Sequence, residues 1–600
     1  MIIIVSPFLY RIFGGIRPIA GDRYWDADAN TTTRPQAQSD SNTIVNEYVD
    51  AVGKISVANR DNPVWWATDL ASRNRFISPL SELLNDLIDF RCADDLAQAS
   101  SKELIVDQPP WPIFALARET ARLRNETIKV YAWPLSLLIA RAGNQTRSWL
   151  SLIKGALTTF FQVRSAKKIF GHVKKIETPV YMIKSFVYAN NFDIAGYHQD
   201  EFFGRLPRII SSRLKPGEKL LTVVQGFEEK DLCYRHMREL PDQWVVPIEC
   251  YITAKDIVKA LFECIKAILI QGFRVPRNLK IARMNASPMI HEVFAQGGWH
   301  IAFFQYLHEK AATNIAQAHK LLGCAMTFES NPWERMFIRG LQQANPTLPI
   351  YGFQHSIVTQ AGIGIFLSQH EADFAPMPSA IITSGMVPLD IITRYGSYPE
   401  ERIWLGGALR YETLRGVPPI PRRHNSKKKR VLVALEGVHP AAVLLDYALT
   451  QARITPEVLF IIRAHPVYPL KKMLKQLPRD RRNFSANVEV SANRSINEDV
   501  SKSDLVLYWG TTVALEAVML GRPIVHFNRG DKLSYDPLFK LQTFHWQISR
   551  NERISTVLKI VIAMPDIEFE SQRQAAVKYV KEYFLPVNDS VMSRLLTSFS

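Results

Sequence analysis

The hydrophobic pattern of the chain shows two stretches in which short apolar runs alternate with windows of helical periodicity. Short apolar runs predict buried strands, and their alternation with helices predicts parallel sheets built from βαβ units. In the first stretch, residues 177–380, the predicted strands lie at 220–224, 326–328 and 349–352, and the predicted helices lie at 257–271 and 333–343.

The second stretch follows a proline-rich segment at 418–421 and a basic run at 427–430, which together predict a linker. Its predicted strands lie at 430–435, 458–463, 487–490, 505–508 and 523–527, and its predicted helices lie at 441–451, 470–476, 496–502 and 512–520. A last amphipathic helix at 571–584 is predicted to cross back to the first domain. The predicted fold class is therefore α/β, with two Rossmann-like domains that face a cleft.

The N-terminal part of the chain has a different pattern and is predicted to be a mainly helical extension. A strand-like run occupies residues 2–5, and leucines at helical spacing between Leu80 and Leu87 support a helical prediction for residues 60–125. The predicted divisions of the chain are 1–175 for the extension, 176–415 for the first Rossmann-like domain and 416–600 for the second.

Residues 131–175 combine apolar and aromatic runs with a cluster of lysines and arginines at 164–175. An amphipathic element that lies in a membrane interface has this composition, and so does a helix pair packed against the protein's own core. Both interpretations stay open from the sequence. The first of them predicts peripheral contact with an anionic membrane.

The 600-residue chain carries a formal net charge of +16, which favours an anionic partner such as a phosphorylated substrate or a lipid headgroup. Aromatic residues are not interleaved with the basic runs, so nucleic acid is disfavoured as a partner. The five cysteines are scattered without a CxxC pair, which fits a reducing compartment.

The apolar segments give no sign of export or of membrane insertion. Residues 1–10 lack the basic leader and the cleavage site of a signal peptide. No stretch reaches the roughly 18 consecutive apolar residues that span a bilayer. The expected localisation is therefore cytoplasmic, at the inner face of the cell membrane.

Candidate ligand groups follow the first two strands of the second domain, and ligands of parallel sheets bind beyond the carboxyl ends of the strands. The first strand is followed by Glu436, which can act as a base or accept from hydroxyls, and by Gly437, which lets the backbone approach a ligand. The second strand ends at Arg463, whose charge would attract a phosphate. It is followed by His465, which can donate to a phosphate oxygen, and by Pro466, which fixes the loop.

The fourth predicted strand of this domain runs into a helix through Gly510, Thr511 and Thr512. The exposed amides of a helix N-terminus bind phosphate, and the two hydroxyls would add to them. Glu516, one turn later, would reach a ribose. A threonine at a helix start is also an ordinary N-cap. Because three strand ends of one sheet each carry a nucleotide-compatible group, we expect them to form one nucleotide site.

With these motifs the second domain, residues 400–600, resembles the donor domain of GT-B glycosyltransferases. The motifs are similar to those of bacterial sialyltransferases, polysialyltransferases and capsule Kdo transferases, which use CMP-activated acidic sugars. By this resemblance, His465 and Pro466 match the His-Pro motif that contacts the CMP phosphate, and the hydroxyl pair at 511–512 matches the paired Ser/Thr that follows it.

The resemblance is partial at the first strand of the domain. Glu436 and Gly437 match part of the acidic-acidic-Gly motif of sialyltransferases, but Leu435 stands where the first acid would be. The chain as a whole is also similar to the surface carbohydrate biosynthesis proteins of polysaccharide gene clusters. The resemblance implies a GT-B glycosyltransferase that builds a surface polysaccharide.

The first domain is expected to supply the acceptor side of the site. Transfer of a sugar to a hydroxyl needs a general base within hydrogen-bond reach of the acceptor oxygen. Glu329 follows one predicted strand and is the first candidate, and His355 follows the next strand and is the second. Glu334 lies in the first turn of a predicted helix, where an acid complements the helix dipole.

Other chemistries are disfavoured by the motifs that the chain lacks. The sequence contains neither a GxGxxG dinucleotide fingerprint nor a GxxxxGK[ST] phosphate loop, which argues against hydride transfer and ATP hydrolysis. No DxD-type motif is evident between the strands, so neither a metal nor another cofactor is predicted.

The expected activity is transfer of a sugar from a nucleotide-activated donor, with a CMP-linked acidic sugar favoured. The acceptor would be a growing surface polysaccharide or lipopolysaccharide, or a lipid-linked precursor. A nucleotide-sugar 2-epimerase and a CDP-glycerol-type polymerase are alternatives on the same fold. A non-catalytic assembly protein at the membrane surface is the alternative from another class.

Overall fold

The structure is a computed structural model of the chain. It describes residues 2–5, 24–26, 41–74, 78–99, 101, 103–107, 109, 111–123, 128–131, 134–171, 173, 176–192, 198–227, 229–240, 244–295, 299–422, 428–491, 494–531, 533–587 and 593.

The N-terminal part contains a small sheet as well as helices. Its strands are β1 Ile2–Val5, β2 Tyr24–Asp26, β3 Leu104–Asp107 and β4 Ile128–Tyr131, in the order β2-β1-β3-β4. β1 pairs in parallel with β3 and β3 with β4, whereas β2 is antiparallel to β1. Its helices are α1 Ser41–Ala58, α2 Asp69–Ser72, α3 Pro79–Ala99, α4 Trp111–Leu123 and α5 Pro134–Phe170. The strand predicted at 2–5 is therefore present, but β3 and β4 lie where helix or a loop was expected.

The first Rossmann-like domain is built on a parallel sheet with the order β13-β12-β11-β10-β5-β6-β7. Its strands are β5 Val180–Val187, β6 Lys219–Gly226, β7 Trp244–Pro247, β10 Leu321–Thr327, β11 Ile350–Phe353, β12 Ala380–Thr383 and β13 Ile403–Leu405, and a separate antiparallel pair is β8 Lys280–Ile281 with β9 Met284–Asn285. Its helices are α6 Leu206–Ser211, α7 Lys230–Glu239, α8 Ala254–Lys266, α9 Ser287–Ala295, α10 Trp299–Ala318, α11 Pro332–Ala344 and α12 Met386–Tyr395.

The second Rossmann-like domain has the sheet order β16-β15-β14-β17-β18-β19, again with parallel pairing throughout. Its strands are β14 Lys429–Ala434, β15 Val458–Arg463, β16 Val488–Val490, β17 Leu505–Tyr508, β18 Ile524–Asn528 and β19 His545–Ser549. Its helices are α13 Ala442–Ile454, α14 Leu470–Leu474, α15 Ile496–Lys502, α16 Val513–Met519, α17 Ile554–Ala563 and α18 Asp566–Tyr583.

Both large sheets reverse their strand order at one point, which confirms the predicted fold of two Rossmann-like domains. The reversal lies between β5 and β10 in the first sheet and between β14 and β17 in the second. Ligands of such sheets bind in the crevice beyond the carboxyl ends of the strands at this reversal. The residues after β10, β14 and β17 are therefore placed where chemistry is expected.

The C-terminal end of the chain lies against the first domain. The Ser384 hydroxyl donates to the carbonyl of Tyr583 at 3.2 Å, and the Leu585 amide donates to the carbonyl of Ser384 at 2.9 Å. A Cβ atom on Gly385 would lie 2.3 Å from the Tyr583 carbonyl oxygen, so only glycine permits this close approach. The two domains also meet through Ala361, whose amide donates to the Ser534 carbonyl at 3.1 Å.

Candidate active site

The first two strands of the second domain bring Gly437 and His465 into contact. A Cβ atom on Gly437 would lie 2.7 Å from Nδ1 of His465, so the glycine leaves room for the imidazole. Nδ1 accepts a hydrogen bond from the amide of Val467 at 3.2 Å. In the neutral ring the proton is then on Nε2, which can donate to a ligand. Both His465 and Pro466 are exposed to solvent at the end of β15.

Glu436 bridges the ends of β14 and β17, where the strand order reverses. Its Oε1 accepts from the backbone amides of Trp509 at 3.1 Å and Gly510 at 2.7 Å. Burial raises the pKa of this carboxyl to about 7. The Gly510 amide was expected to face a phosphate, but it is occupied by the carboxylate. Because Glu436 is buried and holds two strand ends together, we interpret it as a structural residue and not as a base.

Arg463 is drawn towards a neighbouring carboxylate. Its Nη1 donates to Oδ2 of the buried Asp499 at 2.6 Å and to the carbonyl of Arg494 at 2.9 Å. Asp499 also accepts from the Nε of Arg494 at 2.6 Å. Arg463 was expected to add charge at a phosphate, but its Nη1 is committed to this ion pair.

The two threonines after β17 differ in exposure. Thr511 is buried, whereas Thr512 is half-buried, precedes α16 and lies beside Tyr411. Thr512 makes no side-chain cap to α16, so its hydroxyl is not used in that role. Glu516 on α16 is half-buried, and burial raises the pKa of its carboxyl to about 7 against the opposing charges of Arg410 and Arg463.

Arg410 acts electrostatically on groups of both domains. It lies in the 3₁₀ segment Leu409–Gly416 that leads from the first domain to the second, and its side chain is exposed. In the second domain, burial lowers the pKa of His465 and the positive charge of Arg410 lowers it further, whereas the same charge opposes the burial that raises the pKa of Glu516. The charge of Arg410 also lowers the pKa of His355 in the first domain. One cation therefore lies within electrostatic reach of both strand edges.

The two base candidates of the first domain form a pair. Nε2 of His355 lies 3.3 Å from Oε1 of Glu329. Burial is the largest effect on the pKa of His355 and lowers it, with Arg410 acting in the same direction and Glu329 opposing. The imidazole is therefore held in its neutral form. Phe202 packs edge-on against His355 with ring centroids 5.2 Å apart, and the guanidinium of Arg410 lies 5.2 Å from the Phe202 ring centroid.

Glu334 has the structural role that its position in a first helical turn predicted. Its Oε2 accepts from the amides of Glu329 and Asn331, both at 2.8 Å, in the capping box of α11. Ser330 between them has a φ of 63°, so the chain turns sharply there. The buried Glu334 thus fixes the loop that presents Glu329.

Sequence reasoning missed Arg410 among the residues of this site. Its signal was weak, since it is an arginine after the glycine pair at 406–407 in the connection between the domains. The predicted set is brought together in part: the charge of Arg410 acts on His465 and Glu516, and Thr512 lies beside the neighbouring Tyr411. Arg463 and Gly510 have other partners. Within the described ranges, no group of three or more histidine, cysteine, aspartate or glutamate side chains is arranged to hold a metal ion.

Comparisons with known proteins give structural neighbours only. No family model matches the chain, and no curated protein matches it. The glycosyltransferase SnogD from Streptomyces nogalater aligns with 70% of this chain and 100% of its own, at 12% identity and a TM-score of 0.38. TarM aligns with 71% of this chain and 99% of its own, at 13% identity and a TM-score of 0.38.

An epimerase is similar to the same extent. UDP-GlcNAc 2-epimerase from Neisseria meningitidis aligns with 70% of this chain and 100% of its own, at 10% identity and a TM-score of 0.39. At these identities and TM-scores the alignments assign no activity to this chain. The fold assignment rests on the strand order and the parallel pairing of the two large sheets.

Proposed function

We propose that the chain is a GT-B-type glycosyltransferase that moves a sugar from a nucleotide-activated donor to a hydroxyl of a surface polysaccharide or lipid-linked acceptor. The observation that carries the proposal is that the guanidinium of Arg410 packs on Phe202, which packs against His355 of the first domain, while its charge also acts on His465 of the second. Arg410 therefore acts on His355, a base candidate of one domain, and on His465, a phosphate-binding candidate of the other. Transfer between substrates held by two facing domains would bring such groups together.

In the proposed reaction, the diphosphate or monophosphate of the donor lies against Arg410 and the Nε2–H of His465. Positive and hydrogen-bonding groups at the departing phosphate stabilise the charge that develops as the bond to the sugar breaks. Thr512 and Glu516 would contact the nucleotide beside them. The bond from the anomeric carbon to the phosphate oxygen breaks, and the bond to the acceptor oxygen forms.

Glu329 would take the proton from the acceptor hydroxyl. Its side chain is 25% exposed, whereas that of His355 is 14% exposed, so the carboxylate is the more accessible of the two. His355 would orient the carboxylate by directing its Nε2–H at Oε1 of Glu329. This assignment keeps Glu329 as the base and makes His355 a positioning residue.

The nucleotide specificity within this proposal is CMP, with an acidic sugar, because His465 with Pro466 and the hydroxyl pair at 511–512 resemble motifs of enzymes that use such donors. Peripheral contact with an anionic membrane belongs to the same proposal, since a lipid-linked acceptor would be met there. Metal-independent transfer is also part of it.

Product analysis tests the proposal. The full chain is incubated with radiolabelled CMP-, CDP- and UDP-linked sugars and with an extract of polysaccharide precursors. Transfer predicts release of free nucleotide together with label in the polymer. Conversion of the donor into its epimer without nucleotide release would instead indicate the 2-epimerase, and incorporation of glycerol phosphate from a CDP donor would indicate the polymerase. Absence of nucleotide binding, measured by calorimetry, would favour the assembly protein.

A further inference from the structure

α5 exposes an apolar stripe along one side, interrupted between Ile139 and Leu150 by small and polar residues. The stripe consists of large hydrophobic side chains that are between 39% and 68% exposed, namely Leu135, Leu138, Ile139, Leu150, Ile153, Leu157, Phe160 and Phe161. Their spacing of three, four and seven residues places them on one face of the helix. At 1.5 Å per residue the stripe is about 40 Å long. Scattered apolar residues on a surface are ordinary, but a row of this length is not.

The opposite face of α5 packs against the protein. Leu152, Ala156 and Val163 are buried, and a Cβ atom on Gly155 would lie 2.8 Å from the ring of Phe304 on α10. The alternative that remained open from the sequence, a helix packed on the protein's own core, therefore accounts for one face of α5 only. The stripe on the other face is left exposed.

α8 lies beside α5, and both helices pack on α10. The exposed side of α8 and of the turn that follows it alternates apolar with basic residues. Val258 is 67% exposed, Phe262 60% and Leu269 68%, and Lys255 and Lys259 are exposed between them. Ile257, Ala260 and Cys264 face inwards, so the exposed side points away from the core as the stripe does.

The charge of this surface is positive. The 37 residues of α5 include no aspartate or glutamate. Their basic residues are Arg141, Arg147, Lys154, Arg164, Lys167 and Lys168. A large exposed apolar stripe with basic flanks fits the boundary between headgroups and acyl chains of an anionic bilayer. A symmetric pairing of two copies through this face would instead set these like charges against each other.

We propose that α5 and α8 form one membrane-docking surface, in which the stripe and Phe262 enter the interface and the lysines of α8 contact anionic lipid headgroups. The inference rests on the peripheral membrane contact in the proposed function and adds α8 as its second half. The test measures lipid binding in the absence of nucleotide. A lack of lipid binding is therefore distinguishable from a lack of sugar transfer.

The experiment is flotation of the full chain with vesicles of phosphatidylcholine alone or mixed with phosphatidylglycerol. We expect binding to the mixed vesicles that weakens as salt is raised. The double variant Lys255→Gln with Lys259→Gln should bind less tightly, by roughly fivefold for each charge removed. The matched control is Lys471→Gln with Lys472→Gln on α14, which removes two exposed lysines from the second domain and should leave binding unchanged.

A second pair of variants tests the apolar contribution. Leu157→Gln with Phe262→Gln should abolish most of the binding, and Ile560→Gln with Ile567→Gln, which are exposed in the second domain, should not. Circular dichroism and melting curves verify that each variant is folded. Failure of the wild-type chain to bind mixed vesicles would overturn the proposal. An equal loss of vesicle binding in the control variants would also overturn it. A dimer detected by light scattering that the Leu157 and Phe262 substitutions dissociate would overturn it as well.

Discussion

At the carboxyl edge of the second sheet, the buried carboxylate of Glu436 accepts two backbone amides, whereas at the edge of the first sheet Glu329 faces the imidazole of His355. Both acids follow strands next to the point where the strand order reverses. Their surroundings separate their roles, because a buried carboxyl group that accepts two backbone amides at one oxygen stabilises a loop. A more accessible carboxylate beside a neutral imidazole can accept a proton. In the proposed function the site is therefore asymmetric: the second domain would supply phosphate contacts and the first would supply the base.

The largest effect on transfer is expected from Glu329→Gln, which tests whether Glu329 is the base. The amide cannot accept the acceptor proton, so the turnover number should fall by roughly 10²- to 10⁴-fold, the usual contribution of a general base. Nucleotide affinity should stay the same because the proposed phosphate contacts, Arg410 and His465, do not include Glu329. The measurement is steady-state transfer together with nucleotide calorimetry. A variant with nearly full turnover would show that Glu329 is not the base.

Arg410→Ala removes the cation that both edges share. Loss of a charge-assisted contact to phosphate should weaken donor binding by roughly 10- to 100-fold. Because the charge of Arg410 lowers the pKa of His355 and His465, both pKa values should rise in the variant, which NMR titration of the imidazoles can measure. Arg208→Ala, an exposed arginine on α6, is the matched control. If donor affinity and both histidine pKa values stayed at their wild-type values, the two edges would not share this cation.

Gly437→Ala tests the contact that positions His465. The new Cβ would lie 2.7 Å from Nδ1, so the exposed imidazole should move away while the fold remains intact. Donor affinity should fall by about tenfold or less, in line with one lost hydrogen bond. Gly416→Ala introduces a methyl group where nothing lies within 4 Å and should have no effect. Equal donor affinity in both variants would place the phosphate away from His465.

Glu436→Gln should change transfer least and should alter the pH dependence of stability. The pKa of Glu436 is raised by burial to about 7, so folding stability should be lost as pH rises from about 5 to about 8, by up to about 3 kcal/mol. Glutamine retains an oxygen for the amides of Trp509 and Gly510 but does not ionise, so the variant should lose less stability. Urea unfolding at several pH values measures this, with Glu457→Gln, an exposed acid, as the control. If the free energy of unfolding changed equally with pH in the wild type and the variant, ionisation of the buried Glu436 carboxyl would not be the cause.

Four strands of the second domain, β14, β15, β17 and β18, could be predicted because they are largely buried and read as continuous apolar runs. The partly exposed β19 was not predicted. The predicted strands at 458–463 and 505–508 have the same bounds as β15 and β17. By contrast, β3 and β4 in the N-terminal part are as short as β17 but lie in a region whose surrounding pattern is helical. A short apolar run in such surroundings cannot be told from a helix segment by periodicity.

The candidate site could be predicted only in part. The residue types at the strand ends can be identified from the sequence, but their partners cannot. Asp499, which accepts a hydrogen bond from the guanidinium of Arg463, is 36 positions away along the chain. The bond from Gly510 to Glu436 spans 74 positions. Arg410 could not be singled out because its importance arises only when the two domains face each other across the connection that contains it.

A crystal structure of the chain with CMP bound would show where the donor phosphate lies. We expect the phosphate between the two sheets, within hydrogen-bond distance of Nε2 of His465 and of the Arg410 guanidinium, with Glu329 on the opposite side. A phosphate bound elsewhere, with His465 and Arg410 both out of contact, would contradict this expectation.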